Sequence, residues 1–178
     1  MDRIKQYFDP LPIWYETLEQ ELDNQKDTFK IHAITQRPAA MYHSWGSQNA
    51  WLRQIHGSNR LFIPKSLAHE LLISDGDWVL VSSRNGEIKV RVKIMLGLNV
   101  KTVWTWNAIG KRSGSWNLES NVKEVSEGFL LNHLIDDSLS KNPHSYNFSN
   151  SDPITGQAAW FDVRVKIEKI ADTQEDAH

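Results

Sequence analysis

Between one apolar strand pattern and the next, residues 34–56 (ITQRPAAMYHSWGSQNAWLRQIH) hold two tryptophans, a tyrosine, two histidines, two arginines and a run of Ser, Gln and Asn tips. Connections normally lie in water and need no large aromatic surface. One this rich in rings and hydrogen-bonding groups is suited to lie against something flat and polar. Arg37 and Arg53 bracket it, and the planar guanidinium fork matches phosphate oxygens. The chemistry indicated is the binding of a phosphorylated heterocycle, with rings against its face and arginine against its phosphates.

The surrounding sequence must supply a rigid frame, and it reads as β. The segment FKIHAIT alternates Phe29, Ile31 and Ala33 with Lys30, His32 and Ile34, then runs straight into the aromatic segment. RLFIP is a second short strand. Pro64 then opens a short helix, PKSLAHELL, with Leu67, Leu71 and Leu72 on one side. DWVLVSS and EIKVRVKI flank Asn85-Gly86, a hairpin signal that suggests positive φ in a two-residue loop. In the second of these strands Ile88, Val90, Val92 and Ile94 alternate with charged residues. KTVWTWN and FDVRVKIEKI complete the set, the latter with Phe161, Val163, Val165 and Ile167 inward. Residues 107–120 read as a Gly/Ser-rich loop, 121–135 as a short helix bent at Gly128, and 136–153 as loop. Short strands with few, short helices predict a mainly β closed barrel. Residues 1–28 read as a Pro-stiffened tether, in which Trp14, Leu18 and Leu22 form a narrow stripe, and residues 171–178 as a frayed tail.

Composition excludes several classes. With 20 Lys and Arg against 22 Asp and Glu, no overall basic field is available for nucleic acid. The absence of cysteine rules out disulfides, thiolate zinc sites and cysteine-held iron–sulfur clusters within this chain. Histidines lack zinc spacing, and no G-x-G-x-x-G, phosphate-binding loop or nucleophile elbow occurs. No catalytic residue and no metal ligand are therefore assigned. No apolar run approaches the ~20 residues that span a bilayer, and the amino terminus lacks a signal-peptide core, so a soluble, cytoplasmic chain without direct membrane insertion is expected.

Four segments in order carry a family resemblance: Thr35-x-Arg37 with His43-Ser44; LLISDGDWVLVSSRNGEIKVRV; GFLLNHLI at 128–135; and DPITGQAAWFDVRVKIE at 152–168. Over about 29–170 the chain resembles the C-terminal molybdopterin dinucleotide-binding domain of the dimethyl sulfoxide reductase superfamily of molybdopterin oxidoreductases. The wording HSWGSQNAWLRQI is most similar to sulfite dehydrogenase and polysulfide or thiosulfate reductase-like catalytic subunits. The resemblance implies a six-stranded double-psi β-barrel, aspartate decarboxylase-like. It also implies molybdopterin guanine dinucleotide as the cofactor of a holoenzyme whose molybdenum is ligated elsewhere. The implied partners are the remaining domains of the catalytic subunit, an iron–sulfur electron-transfer subunit and a membrane anchor subunit.

By that resemblance Thr35, Arg37, His43, Ser44, Asn132 and Gln157 contact the cofactor, with His133 a weaker candidate. Trp45 would pack the ring face, and Gln48 and Asn49 carry both donor and acceptor tips for a pterin edge, unless they serve the loop's own backbone. Trp51 is expected in the core. Asn132, polar within an apolar run, is expected to be a buried amide needing partners. The chain then reads as the lid domain of an oxidoreductase of sulfur oxyanions, inactive alone. The alternative is a self-processing pyruvoyl-type decarboxylase on the same barrel, cleaved at Gly46-Ser47, Gly57-Ser58 or Gly114-Ser115.

Overall fold

The computed structural model describes residues 28–46, 49–110, 121, 127–135, 138–141, 147–149, 155–158 and 163–170; for Ser44, 138–141 and 147–149 only the backbone is described. The tether expected over 1–28 and the tail over 171–178 lie outside these residues, apart from Thr28.

Period-two patterning sets the architecture. Strands β1 (Ile31–Gln36), β2 (Leu61–Pro64), β3 (Trp78–Ser82), β4 (Glu87–Met95), β5 (Thr102–Trp106) and β8 (Val163–Lys169) close into one barrel in the order β1-β5-β2-β4-β3-β8. Ala33, Leu61, Ile63, Val79, Val81, Val90, Val92, Val103, Val165 and Ile167 point inward and are buried. Mostly small branched side chains at alternate positions fill a narrow barrel without leaving a lumen. β1 pairs with β5 in parallel and β2 with β4 in parallel, while the remaining ladders are antiparallel.

Between β1 and β2 the aromatic segment winds into two short helices, α1 (His43–Gly46) and α2 (Ala50–Ile55). Helix α3 (Lys65–Glu70) follows Pro64 directly and buries Leu67 and Ala68. Leu72, expected on the same side, is instead exposed at φ 55, where the chain leaves the helix.

Three other expectations are corrected. The Asn85-Gly86 turn joins β3 and β4 as anticipated, with Ser82 opposite Glu87, yet neither of its residues has positive φ. Glycine is needed there for space: a Cβ on Gly86 would lie 2.5 Å from the His133 carbonyl oxygen. The helix expected over 121–135 is, among the described residues, an extended approach followed by a 3-10 turn, Leu131–Leu134. The Phe129 N–H donates to the Ile109 carbonyl at 3.1 Å, so pairing with a distant strand extension overrides helix propensity. Residues 136–153 are not all loop, since β6 (Ser138–Lys141) and β7 (Asn147–Ser149) pair antiparallel.

Two carboxylates tie the α3–β3 connection to the barrel. Asp75 accepts from Lys93 Nζ at 2.8 Å and from the Ile94 N–H at 2.7 Å. Asp77 pairs with Lys169 at 2.6 Å and accepts from the Ser74 N–H at 2.7 Å. The Lys169 ammonium and then the Ser74 amide hold Asp77 below its ordinary value of 3.8, and Lys93 and then the Ile94 amide do the same for Asp75. A folded-state pKa below the unfolded one contributes stability that is complete above the unfolded value and disappears as pH falls through the folded value. Asp77→Asn is therefore expected to remove about 1 kcal/mol or less at pH 7 and to flatten the acid-side loss, as read from urea midpoints at neutral and strongly acid pH.

Candidate functional site

Strand direction gathers the candidate segments on one rim. β1 and β5 both end there, β2 begins there because it runs antiparallel to β5, and by the same pairings β4 and β8 begin and β3 ends there. Residues 37–60, the 83–86 turn, the chain after Trp106 and the chain entering β8 thus share this rim. Connections 65–77 and 96–101 occupy the other. Every described candidate lies in a segment of the first rim except Thr35, which stands on β1 two positions before one.

Their environments differ. Thr35, at the end of β1, is buried and its Oγ1 has no hydrogen-bond partner. Arg37 follows one residue past the strand and is exposed. His43 opens α1 at φ 49, in the left-handed region, with its ring edge-on to Tyr42 at 5.4 Å. Ser44 lies on α1, and Gln48 lies outside the described residues. Asn49 Oδ1 accepts from the Trp51 and Leu52 N–H groups, capping α2, so its oxygen serves the loop's own backbone. Gln157 is exposed on the approach to β8, its N–H donating to Thr155 Oγ1 at 3.3 Å.

Trp51 is not in the core. Tyr42, Trp45 and Trp51 are 76, 79 and 77 % exposed, with Ile55 beside them in sequence at 64 %. The aromatic demand of the barrel is met elsewhere. Phe62 stacks on Trp104 at 3.9 Å and 5°, Trp106 meets Trp104 edge-on at 4.7 Å, and His56 lies 5.4 Å from Trp106. That cluster on β2 and β5 anchors the chain as it leaves α2, so α1 and α2 present their rings outward from a fixed base. Three large exposed aromatics on one short segment are the kind of apolar surface that contact sites use.

Asn132 is exposed, and the buried amide is Asn59. The chain from 127 to 135 runs across the rim from the end of β5 to the β3–β4 turn. Its buried Leu131 and Leu134 join the barrel core, which leaves Asn132 and His133 facing out. At one end Asn59, 2 % exposed, donates from Nδ2 to the carbonyls of Trp106 at 2.9 Å and Phe129 at 3.1 Å. Its Oδ1 accepts from Thr105 Oγ1 at 2.8 Å and from the Arg60 and Trp106 N–H groups. At the other end Ser83 Oγ donates to the Leu134 carbonyl at 2.6 Å and accepts from the Asn85 N–H. Sequence reasoning missed Asn59 because GSNRLF reads as an ordinary turn into a strand; a polar residue just before a fully apolar strand was the available signal.

Rings and an arginine in segments of one rim of a closed barrel are an arrangement suited to a flat, anionic ligand. Comparison with known proteins agrees. Residues 31–151 match the model of the molydopterin dinucleotide binding domain. The chain is 51% identical over 168 residues, 94% of its length, to a sulfite dehydrogenase subunit of Allochromatium vinosum. It spans 17% of that relative's length. The fold is similar to part of acetylene hydratase from Pelobacter acetylenicus, with a TM-score of 0.65, 17% identity, and coverage of 94% of this chain and 22% of that one. This chain belongs to the molydopterin dinucleotide-binding domain family. The cofactor is accordingly molybdopterin guanine dinucleotide, carried by the whole enzyme. The rim fits it: Thr35 offers a buried hydroxyl lacking a partner, and the exposed indoles offer flat apolar faces. Among the described residues no group of three or more His, Cys, Asp or Glu could hold a metal ion, and no helix is long and apolar enough to cross a membrane.

Proposed function

We propose that this chain is the lid domain of a molybdenum oxidoreductase that carries bis-molybdopterin guanine dinucleotide and acts on sulfur oxyanions, and that it is catalytically inactive alone. The observation that carries the reading is the exposure of Tyr42, Trp45 and Trp51 in the segment that follows Thr35 and Arg37 on the same rim. Identity to a sulfite dehydrogenase subunit supports the substrate class. Thr35, Arg37, His43, Ser44, Trp45, Gln48, Asn49, Asn132, His133 and Gln157 form the proposed contact set. The bound cofactor supplies the redox chemistry, and the chain's own task is to bind it, orient it and exclude water. Arg37 would meet a phosphate, the indoles the ring faces, and the amides of Asn49, Asn132 and Gln157 the polar edges. The rim would be completed by the remaining domains of the catalytic subunit, working with an iron–sulfur electron-transfer subunit and a membrane anchor on the cytoplasmic side.

Two measurements test this. The chain alone should turn over neither sulfite, thiosulfate nor polysulfide with redox dyes. In the full-length catalytic subunit, Arg37→Ala should lower nucleotide released per subunit on denaturation by about tenfold, the weight of one charge-assisted phosphate contact, while leaving the melting temperature of the barrel unchanged. Turnover by the chain alone, or full nucleotide content in the Arg37 variant, would overturn the proposal.

A further inference from the structure

Three irregularities of the rim fall at the paired ends of β1 and β5. Thr35 Oγ1 and Asn107 Oδ1 are both buried without a hydrogen-bond partner. Ala108, directly after Asn107, is one of the three non-glycine residues with positive φ among the described residues, at 62. Register places the first pair together. Thr35 lies opposite Thr105, and Asn107 continues β5 by donating its N–H to the Gln36 carbonyl at 2.8 Å. Residues 33 and 35 on β1 share the inward face with 103, 105 and 107 on β5, so Thr35 and Asn107 stand diagonally on that face at the rim. The hydroxyl between them does not satisfy either one, because Thr105 Oγ1 donates to Asn59.

A buried polar atom without a partner is costly, and a native fold keeps such atoms where something else supplies the partner. Strained backbone beside them has the same implication. We propose that Asn107 is a further ligand-binding residue, forming with Thr35 a polar recess for the amino-oxo pyrimidine edge that guanine and the pterin ring share. The proposal rests on the cofactor-binding reading given above. The donor and acceptor pattern suits this edge: the amide oxygen needs a donor, which the exocyclic amine or ring N–H supplies, and the threonine hydroxyl can donate to the adjacent ring carbonyl. Water does not reach either oxygen, so the edge must enter between the rim segments to bond them. Gly110, where a Cβ would meet Leu130 at 2.5 Å, keeps the chain after β5 packed tightly against the 127–135 segment that borders this entry.

The test titrates the 178-residue chain with guanosine monophosphate, inosine monophosphate and 6-hydroxymethylpterin, following intrinsic tryptophan fluorescence, with circular dichroism to verify folding. Asn107→Leu, of similar size but without an acceptor, should weaken binding about tenfold, whereas Asn107→Asp, which keeps the acceptor, should bind as the parent does. Guanosine monophosphate binding more tightly than the inosine nucleotide assigns the recess to the nucleotide base, and binding of the pterin alone assigns it to the pterin. If Arg37→Ala weakens the phosphorylated probes while Asn107→Leu changes nothing, the recess is overturned and the cofactor rim stands. If no probe binds the parent chain, both are overturned.

Discussion

Asn59→Ala is expected to destabilise the barrel by about 3 kcal/mol or more, among the largest effects available to a polar side chain here. The substitution leaves the Trp106 and Phe129 carbonyls without the donor they share, and it leaves Thr105 Oγ1 and two backbone N–H groups without their acceptor. Each is buried or partly buried, so water replaces the lost bonds poorly. Asn59→Asp separates the two halves of the amide's work. The acceptor remains, but a carboxylate oxygen then faces two carbonyl oxygens, so the charged form is disfavoured and the group titrates above its ordinary value in the folded state. That variant should be weak at pH 7 and recover as pH falls and the carboxyl gains a proton to donate. Urea unfolding of both variants at neutral and mildly acid pH checks this. Equal stability of Asn59→Ala and the parent would show that the amide network carries no net weight. Loss of Asn59 also frees the 127–135 segment at one end, so cofactor retention in the full enzyme should fall with stability.

The frame is legible in the sequence because it rests on local alternation. Strands expected near 29–35, 60–63, 77–83, 87–96, 101–106 and 161–170 are found at 31–36, 61–64, 78–82, 87–95, 102–106 and 163–169. Period-two burial in β4, with Val90 and Val92 fully inward and Ile88 and Ile94 partly so, follows the written pattern. Non-local chemistry is not legible. Apart from the adjacent Arg60 N–H, the Asn59 side chain finds its partners 46 to 70 positions away, mostly on the backbone, which carries no side-chain signature. Asn132 stands out because its neighbours are apolar, yet a 3-10 turn buries Leu131 and Leu134 and turns the residues between them outward. Trp51 reads as a core residue by the general habit of indoles, although Phe62, Trp104 and Trp106 already fill the aromatic packing of the β2–β5 face. Hydrophobicity alone does not separate a ring that packs a core from one that faces a ligand; the neighbouring Arg37, His43 and Asn49 are the better guide.

Gly86→Ala should be the most disruptive of the small-to-large changes on the rim. Its Cβ would stand 2.5 Å from the His133 carbonyl oxygen, and because that atom is backbone, the 131–134 turn must move as a unit. Moving it lifts Leu131 and Leu134 out of the core and strains the Ser83 bond to the Leu134 carbonyl. Overpacking of this kind costs about 1–3 kcal/mol. Gly76 supplies the control on the opposite rim: its Cβ would meet nothing within 4 Å, but its φ of +89 makes alanine strained, for a cost of about 1–2 kcal/mol. Thermal melts could therefore show similar losses for different reasons, and amide exchange separates them. Gly86→Ala should speed exchange over 131–135 and, in the full enzyme, lower cofactor content, because Asn132 and His133 ride on the displaced turn. Gly76→Ala should leave both unchanged. Exchange over 131–135 that is the same in both variants would place the turn's anchorage somewhere other than the close approach at Gly86.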